Sequence, residues 1–205
     1  MPERDGVWAA AYLEGGEAVV QADGARGKPR RFDKGIPQGT VIGPLLFLLF
    51  INDVVEVVQG AGGTGCFLYA DDLAATVAGK GREQLKGALS KVADAVWEWS
   101  LRNEMPINSK PGKTECTVFA KEPIDLGVMM GGEVLRSVPK YQYLGVLVDK
   151  ELGFGPHSEA VAKAMEANLG VLNRKKYKYK THHLRQLYLA HGQSKLVYAL
   201  GAWWP

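Results

Sequence analysis

Cys66-Phe67-Leu68-Tyr69-Ala70-Asp71-Asp72-Leu73-Ala74-Ala75-Thr76-Val77 is the stretch from which the rest of the chain can be read. An apolar run meets two adjacent carboxylates, and a second apolar run follows at once. That pattern predicts strand, tight turn, strand, with both acids at the tip. Acids at such a tip are held rigidly by the flanking pairing and still face solvent. Hard divalent cations favour that arrangement of close oxygen ligands on an unyielding backbone. Without a cation the pair is costly, since like charges about 4 Å apart repel by roughly 4 kcal/mol at an effective dielectric of 20. The plainer alternative is turn chemistry, because Asp tolerates turn geometry and bonds its own backbone.

About thirty residues upstream stands Gly35-Ile36-Pro37-Gln38-Gly39-Thr40. Two glycines permit close backbone approach to a flat ligand, Pro37 stiffens the loop, and the planar amide of Gln38 offers a donor and an acceptor to a base or sugar edge. A structural turn leading into a helix is the competing account. The apolar run Val41 to Ile51 follows. It is too short for the roughly 20 residues of a membrane span. It predicts a buried helix from Pro44 to Gln59, apolar nearly all round and covered on most faces, with Asp53 as a polar residue rather than a metal ligand.

The length of 205 residues allows one good core and a small satellite, and 46% hydrophobic residues predict a folded protein. Net charge is only +3, but its distribution is informative. Arg174, Lys175, Lys176, Lys178 and Lys180 enclose Tyr177 and Tyr179, a cationic segment with interleaved aromatics that suits a phosphate backbone and stacked bases. A solvated bend between two helices is the alternative. Cys66 and Cys116 show no metal spacing or pairing framework, which fits a reducing compartment. The charged start, Met1 to Asp5, has no apolar stretch after it, so no signal peptide is expected and the predicted location is nuclear or cytoplasmic.

Period and punctuation give the remaining elements. Trp8–Leu13 and Ala18–Gln21 read as strands around Gly15-Gly16. Residues 82–101 carry Leu85, Ala88, Leu89, Val92, Val96 and Trp97 at helical spacing, a helix with one buried stripe. Strands are expected over 114–120, 125–130, 133–138 and 141–148, with Gly131-Gly132 as a hairpin turn, and two helices beyond Pro156 meeting near Lys180-Thr181. The class is α+β, helices backing an antiparallel sheet and then a helical region. Gly60-Ala61-Gly62-Gly63-Thr64-Gly65 spells a dinucleotide fingerprint, but it lies between a helix and a strand in the wrong order and reads as a flexible connector. His182, His183 and His191 lack partners at zinc-ligand spacing, and His157 is expected near the start of a helix.

The ordered set of segments resembles the reverse transcriptases of non-LTR, LINE-like retrotransposons. Residues 35–54 and 68–73 resemble motifs B and C, Pro111-Gly112-Lys113-Thr114-Glu115 resembles motif D, and Tyr143-Leu144-Gly145-Val146 resembles the segment joining palm to thumb. The resemblance implies a leading remnant over 1–33, a partial palm over 34–150 and a partial thumb over 151–205. It implies RNA-directed DNA polymerase activity, with Asp71 and Asp72 as catalytic metal ligands for Mg²⁺, or Mn²⁺ in its place. Lys113 would approach the triphosphate and give a proton to the departing pyrophosphate. Gly35, Pro37, Gln38, Gly39, Tyr69 and Ala70 would bind the nucleotide, and residues 174–180 the nucleic acid. The implied partners are an RNA template, a DNA primer and deoxynucleotide triphosphates, with no membrane.

The chain departs from the family in one respect. The motif A acid that completes the two-metal site has no match here, because Asp33 lies only two residues before Gly35 and Asp5 lacks the flanking pattern. A site with two ions about 3.5–4 Å apart needs a second wall. The chain is therefore expected to open between motifs A and B, to stop within the thumb, to be inactive alone, and to take the missing polymerase segment as a partner. A decayed or domesticated nucleic-acid-binding relic, and a group II intron maturase-like enzyme, are the rival readings. The run from Val41 to Asp53 favours the LINE-like kind over the maturase.

Overall fold

The computed structural model describes residues 3–14, 16–31, 34–36, 38–120 and 124–204. Helices α2 (Gly43–Ile51) and α3 (Val54–Gly60) are followed by strands β5 (Gly65–Tyr69) and β6 (Asp72–Thr76), and then by the long helix α4 (Arg82–Arg102). These elements enclose the main core. Ile51, Val54, Val58, Val92, Val96 and Trp99 are buried together, and Cys66, Leu68, Leu73 and Ala75 of the hairpin pack against them. A second core forms on another side of α4, where Ala93 meets Leu126, Val128 and Met130. The single stripe expected on this helix is thus two, and α4 is the shared wall between both cores. Its far end is tied by Trp99, whose Nε1 donates to Asp53 Oδ1 at 2.8 Å.

The one helix expected over 44–59 is two. Backbone bonds from Val55 to Asn52 and from Glu56 to Asp53 tighten the chain between α2 and α3, and a local i→i−3 pattern of this kind breaks an α-helix into segments. Coverage also differs from expectation. Leu46 and Ile51 are buried and the Phe50 ring lies against Trp99 at 6.1 Å between centroids, but Leu45, Leu48 and Leu49 remain exposed. An apolar composition predicts burial only if another element lies on each face, and no such element lies on this face of α2 among the described residues. By composition alone, residues 43–60 are long and apolar enough to cross a membrane. Asp53 and Glu56 would then put two carboxylates in hydrocarbon, at a cost of several kcal/mol.

The glycine-rich connector is closed rather than loose. Gly62 (φ +93°) follows α3, the Gly62 amide donates to Gln59 O, and the Gly63 amide donates to Val58 O. This pair of bonds is the Schellman termination. A Cβ on Gly63 would lie 2.5 Å from Val58 Cγ1, so the second glycine is required by packing.

Near the N-terminus, Trp8–Leu13 is not a strand. It belongs to helix α1 (Glu3–Leu13), where Trp8 stacks on Tyr12 one turn away with ring centroids 5.5 Å apart. Three consecutive alanines favour that outcome. Four short strands follow, β1 (Glu17–Ala18), β2 (Gln21–Ala22), β3 (Ala25–Arg26) and β4 (Arg30–Arg31). The strand expected over 18–21 is therefore split between β1 and β2.

The later strands are shorter than expected: β7 (Glu115–Cys116), β8 (Met129–Met130), β9 (Glu133–Val134) and β10 (Arg136–Ser137). β8 and β9 do form the hairpin about Gly131-Gly132, whereas β7 and β10 pair in parallel. The expected strand over 141–148 is a hairpin of β11 (Lys140–Tyr143) and β12 (Val146–Asp149), turned by Leu144 (φ +46°) and Gly145 (φ +84°). The antiparallel sheet is not continuous: among the described residues every ladder has two strands. The α+β class stands.

Gly131 illustrates how a turn is locked. Its φ is +58°, and a Cβ there would lie 2.3 Å from Trp97 Cε2. Gly132 (φ +86°) faces open space. Gly131→Ala is therefore expected to lower stability by about 2–3 kcal/mol and Gly132→Ala by only about 1–2 kcal/mol, compared by urea unfolding midpoints.

Beyond this, α5 (Gly155–Lys175) and α6 (Thr181–Leu187) lead through a π-helical turn, Tyr188–Gln193, into α7 (Ser194–Val197) and α8 (Leu200–Trp203). A set of bonds joins these helices to the β11–β12 hairpin. Tyr198 Oη donates to Leu144 O at 2.7 Å, Trp203 Nε1 donates to Tyr198 O at 2.9 Å, and the Leu147 amide donates to His157 Nδ1 at 3.2 Å. His157 is buried edge-on against the Trp203 ring, at 4.9 Å between centroids. His157 thus sits near the start of α5, as expected. A Cβ on Gly145 would meet Tyr198 Cε1 at 3.2 Å.

Candidate functional site

The β5–β6 hairpin matches its sequence pattern. Tyr69 pairs with Asp72, which leaves Ala70 and Asp71 as a two-residue loop. Ala70 has φ +51°, a positive angle of the kind that two-residue hairpins demand, and it costs a residue with a Cβ about 1 kcal/mol. Register fixes the rest. Cys66, Leu68, Leu73 and Ala75 share the inner face, whereas Phe67, Tyr69 and Asp72 share the outer one. Asp71 and Asp72 are both exposed. The core holds the hairpin from behind and presents two carboxylates to solvent in front.

Tyr143 stands at the end of β11. Its hydroxyl pKa is raised, first by burial, next by the Asp72 carboxylate, and then by Cys66. The Asp72 charge is thus felt at the end of β11, a coupling that chain separation concealed. Burial also raises the thiol pKa values of Cys66 and Cys116, so both stay protonated near neutral pH and are poor soft-metal ligands.

Two exposed carboxylates fit one hard cation, since Mg²⁺ is commonly held by one or two carboxylates together with substrate phosphates and water. Among the described residues no cluster of three or more His, Cys, Asp or Glu side chains stands ready to hold a metal. The donor set thus suits a single ion completed by a ligand from outside, and two ions need a further acid.

The other predicted residues occupy separate loops. Gly35 (φ +88°) and Gly39 (φ +83°) need glycine for their backbone, and Gln38 is exposed between them. Pro37 and Asp33 lie outside the described residues. The Thr40 hydroxyl accepts the Gly43 amide at 3.2 Å, which anchors this loop to the first turn of α2. Lys113 is exposed in a turn closed by its own amide on Lys110 O, by Thr114 Oγ1 donating to Asn108 O, and by the Gly112 amide donating to Glu115 Oε1. Asn108 Oδ1 also accepts the Lys110 amide. Asn108 and Glu115 are thus the residues that shape the Lys113 turn, a role that the sequence pattern did not assign to either. Among the described residues no hydrogen bond or ion pair links the Gln38 or Lys113 loop to Asp71 or Asp72.

Residues 174–180 are brought together and all are exposed. Arg174 and Lys175 complete the last turn of α5, where cations complement the helix dipole. Lys176 Nζ lies 5.1 Å from the Tyr177 ring centroid, and Tyr177 is 89% exposed.

The family described as "Reverse transcriptase (RNA-dependent DNA polymerase)" matches residues 1–148. The chain belongs to the reverse transcriptase family. Its relatives include the "RNA-directed DNA polymerase from mobile element jockey" of Drosophila funebris, 30% identical over 168 residues, which are 80% of this chain and 18% of that protein. The "Probable RNA-directed DNA polymerase from transposon BS" of Drosophila melanogaster is 28% identical over 80% of this chain and 19% of its own length. A "Retrovirus-related Pol polyprotein from type-1 retrotransposable element R1 2" of Nasonia vitripennis is 27% identical over 68% of this chain and 36% of its own length. Together these place the chain in the non-LTR, LINE-like group. This reverse transcriptase chain spans under a fifth of the length of the first two relatives. No solved structure matches it significantly.

Proposed function

We propose that these residues form part of the polymerase core of a retrotransposon RNA-directed DNA polymerase, with residues 34–150 as palm, 151–205 as thumb and 1–33 as a leading segment. The observation that carries the reading is the pair Asp71 and Asp72, exposed at the loop end of a hairpin whose other face is packed. Both carboxylates would hold Mg²⁺, or Mn²⁺ in its place, Asp71 centrally and Asp72 as the outer ligand. A divalent ion supplies charge neutralisation to a triphosphate. Gly35, Pro37, Gln38 and Gly39 shape a loop that meets the nucleotide. Tyr69 and the small Ala70 leave room beside the primer end. Lys113 faces the phosphates and gives up a proton to the leaving group. The bend over 174–180 holds the backbone of the RNA template and DNA primer.

The bare face of α2 supports a further part of the reading. Three large apolar side chains in solvent (Leu45, Leu48 and Leu49) suit a segment meant to be covered by more polymerase. That additional segment would also bring the further acid. A nucleus or cytoplasm is the proposed location. The second reading, a relic that binds nucleic acid without turnover, is favoured by one observation, the lack of a third ligand beside Asp71 and Asp72 among the described residues.

Mn²⁺ tests the site directly. Added to the isolated chain, it is expected to broaden the amide resonances of residues 69–73 selectively, with affinity on the order of 10⁻³ M. The double variant Asp71→Asn/Asp72→Asn is expected to lose the effect. Broadening centred elsewhere, or unchanged in the variant, would remove the hairpin from the metal role.

A further inference from the structure

Residues 17–31 form one ribbon. β1 pairs with β4 (Glu17 with Arg31, Ala18 with Arg30), and β2 pairs with β3 (Gln21 with Arg26, Ala22 with Ala25). Asp23 (φ +51°) and Gly24 (φ +80°) turn it, as an Asp-Gly pair does in two-residue hairpins. The two ladders are out of step by one residue. Two residues lie between Ala18 and Gln21, but three lie between Arg26 and Arg30. The extra residue is taken up over Gly27–Pro29, where the Gly27 amide donates to Val20 O at 2.9 Å. A Cβ on Gly27 would lie 3.3 Å from that same oxygen. This is a β-bulge, and it reverses the alternation of side chains beyond it. Arg26 and Arg31 therefore share one face, and Arg30 lies on the other.

Charge gathers on this ribbon. Residues 21–31 hold Arg26, Lys28, Arg30 and Arg31 against the lone acid Asp23, a net charge of +3 that equals that of the entire chain. Every residue from 21 to 31 is exposed. Among the described residues no ion pair or side-chain hydrogen bond engages the cationic groups of Arg26, Lys28 or Arg30. Cations on an edge strand do discourage strand pairing between molecules, but one or two suffice, and Pro29 with the bulge already serves that end. Cations spread over both faces of a ribbon about 20 Å long suit a polyanion with charges repeating along its length.

The geometry points to a second nucleic-acid contact on this ribbon, in which Arg26, Lys28 and Arg30 grip the phosphodiester backbone of a template strand independently of the bend at 174–180. The inference rests on the polymerase reading above. It adds a contact surface formed well before the acidic hairpin in the chain.

Fluorescence anisotropy with a labelled 20-nucleotide RNA, an RNA–DNA duplex and anionic lipid vesicles tests it over a salt series. The triple variant Arg26→Gln/Lys28→Gln/Arg30→Gln is expected to bind RNA about 10-fold more weakly at 100 mM salt, with a log–log salt slope shallower by about 2. Arg26→Lys/Arg30→Lys is expected to stay within about twofold of the parent chain, and matching circular dichroism melts would show the ribbon folded in both variants. The single strand and the duplex distinguish the form of backbone held. If the Gln triple binds RNA as the parent does while Lys175→Gln/Lys176→Gln/Lys178→Gln weakens it, the ribbon inference is wrong and the polymerase reading stands. If the parent chain binds neither nucleic acid, that reading fails as well. Loss of vesicle binding alone in the ribbon triple would assign the cations to a membrane surface and overturn the inference.

Discussion

Asp71→Asn is expected to reduce primer extension on the order of 10³-fold in a polypeptide that joins these residues to a polymerase segment bearing the further acid. Each position where charge develops in a transfer reaction commonly contributes about 10²–10³ in rate. The exchange replaces one anionic oxygen ligand with an amide nitrogen and keeps the number of heavy atoms. Asp71 is exposed in a two-residue loop, so its loss disturbs no packing, and thermal unfolding should not shift by more than about 1 °C. Asp72→Asn should cost less, about tenfold, as the outer ligand. The 205 residues alone are expected to give no extension above an Asp71→Ala control with Mg²⁺ or Mn²⁺. Extension by the isolated chain that survives Asp71→Ala would show that the hairpin is not the reacting centre.

The largest effect on stability is expected at Trp99. It is 5% exposed, packs within the main core and donates its indole N–H to Asp53. Trp99→Ala should destabilise the chain by about 3–5 kcal/mol, which removes a sizeable void's worth of contacts and a bond. That is a large part of the 5–15 kcal/mol total typical of a domain. Asp53→Ala keeps the ring and strands its N–H, so about 1–3 kcal/mol is expected. Urea unfolding of both variants and of the double variant checks this. Because the two groups share one bond, their losses should add to more than the double variant shows. Strict additivity would mean that the bond contributes nothing.

What could be read from sequence was local. The acidic hairpin, α4 and the Gly131-Gly132 turn each declare themselves within a few residues, through alternation, helical spacing or a paired glycine. Failures arose where distant parts decide. Trp99 and Asp53 are 46 residues apart, and nothing in either neighbourhood names the other. The apolar run of α2 shows that its residues prefer burial, but not whether a neighbour exists to provide it. Residues 141–148 read as a single strand because Leu144 adopts a positive φ that leucine rarely takes, sustained by Tyr198 far along the chain. Two misreadings had visible signals. Asp23-Gly24 marks a hairpin, and Ala9-Ala10-Ala11 between Trp8 and Tyr12 favours a helix over a strand. Of the candidate site, the acids, the Lys113 loop and the cationic bend were legible as separate pieces. The influence of the Asp72 charge on Tyr143 was not, because it acts between residues 71 positions apart in the chain.

The bond from Tyr198 to the Leu144 carbonyl carries a consequence for biosynthesis. As the polypeptide emerges from a ribosome, residues 140–149 appear some fifty positions before the tyrosine that closes on them. During that interval the turn has its glycine but not its clasp, and the leucine beside it has no reason to hold an unfavourable angle. A premature stop between residues 150 and 197 would therefore damage two places at once, the truncated helices and a hairpin translated well upstream of the lesion.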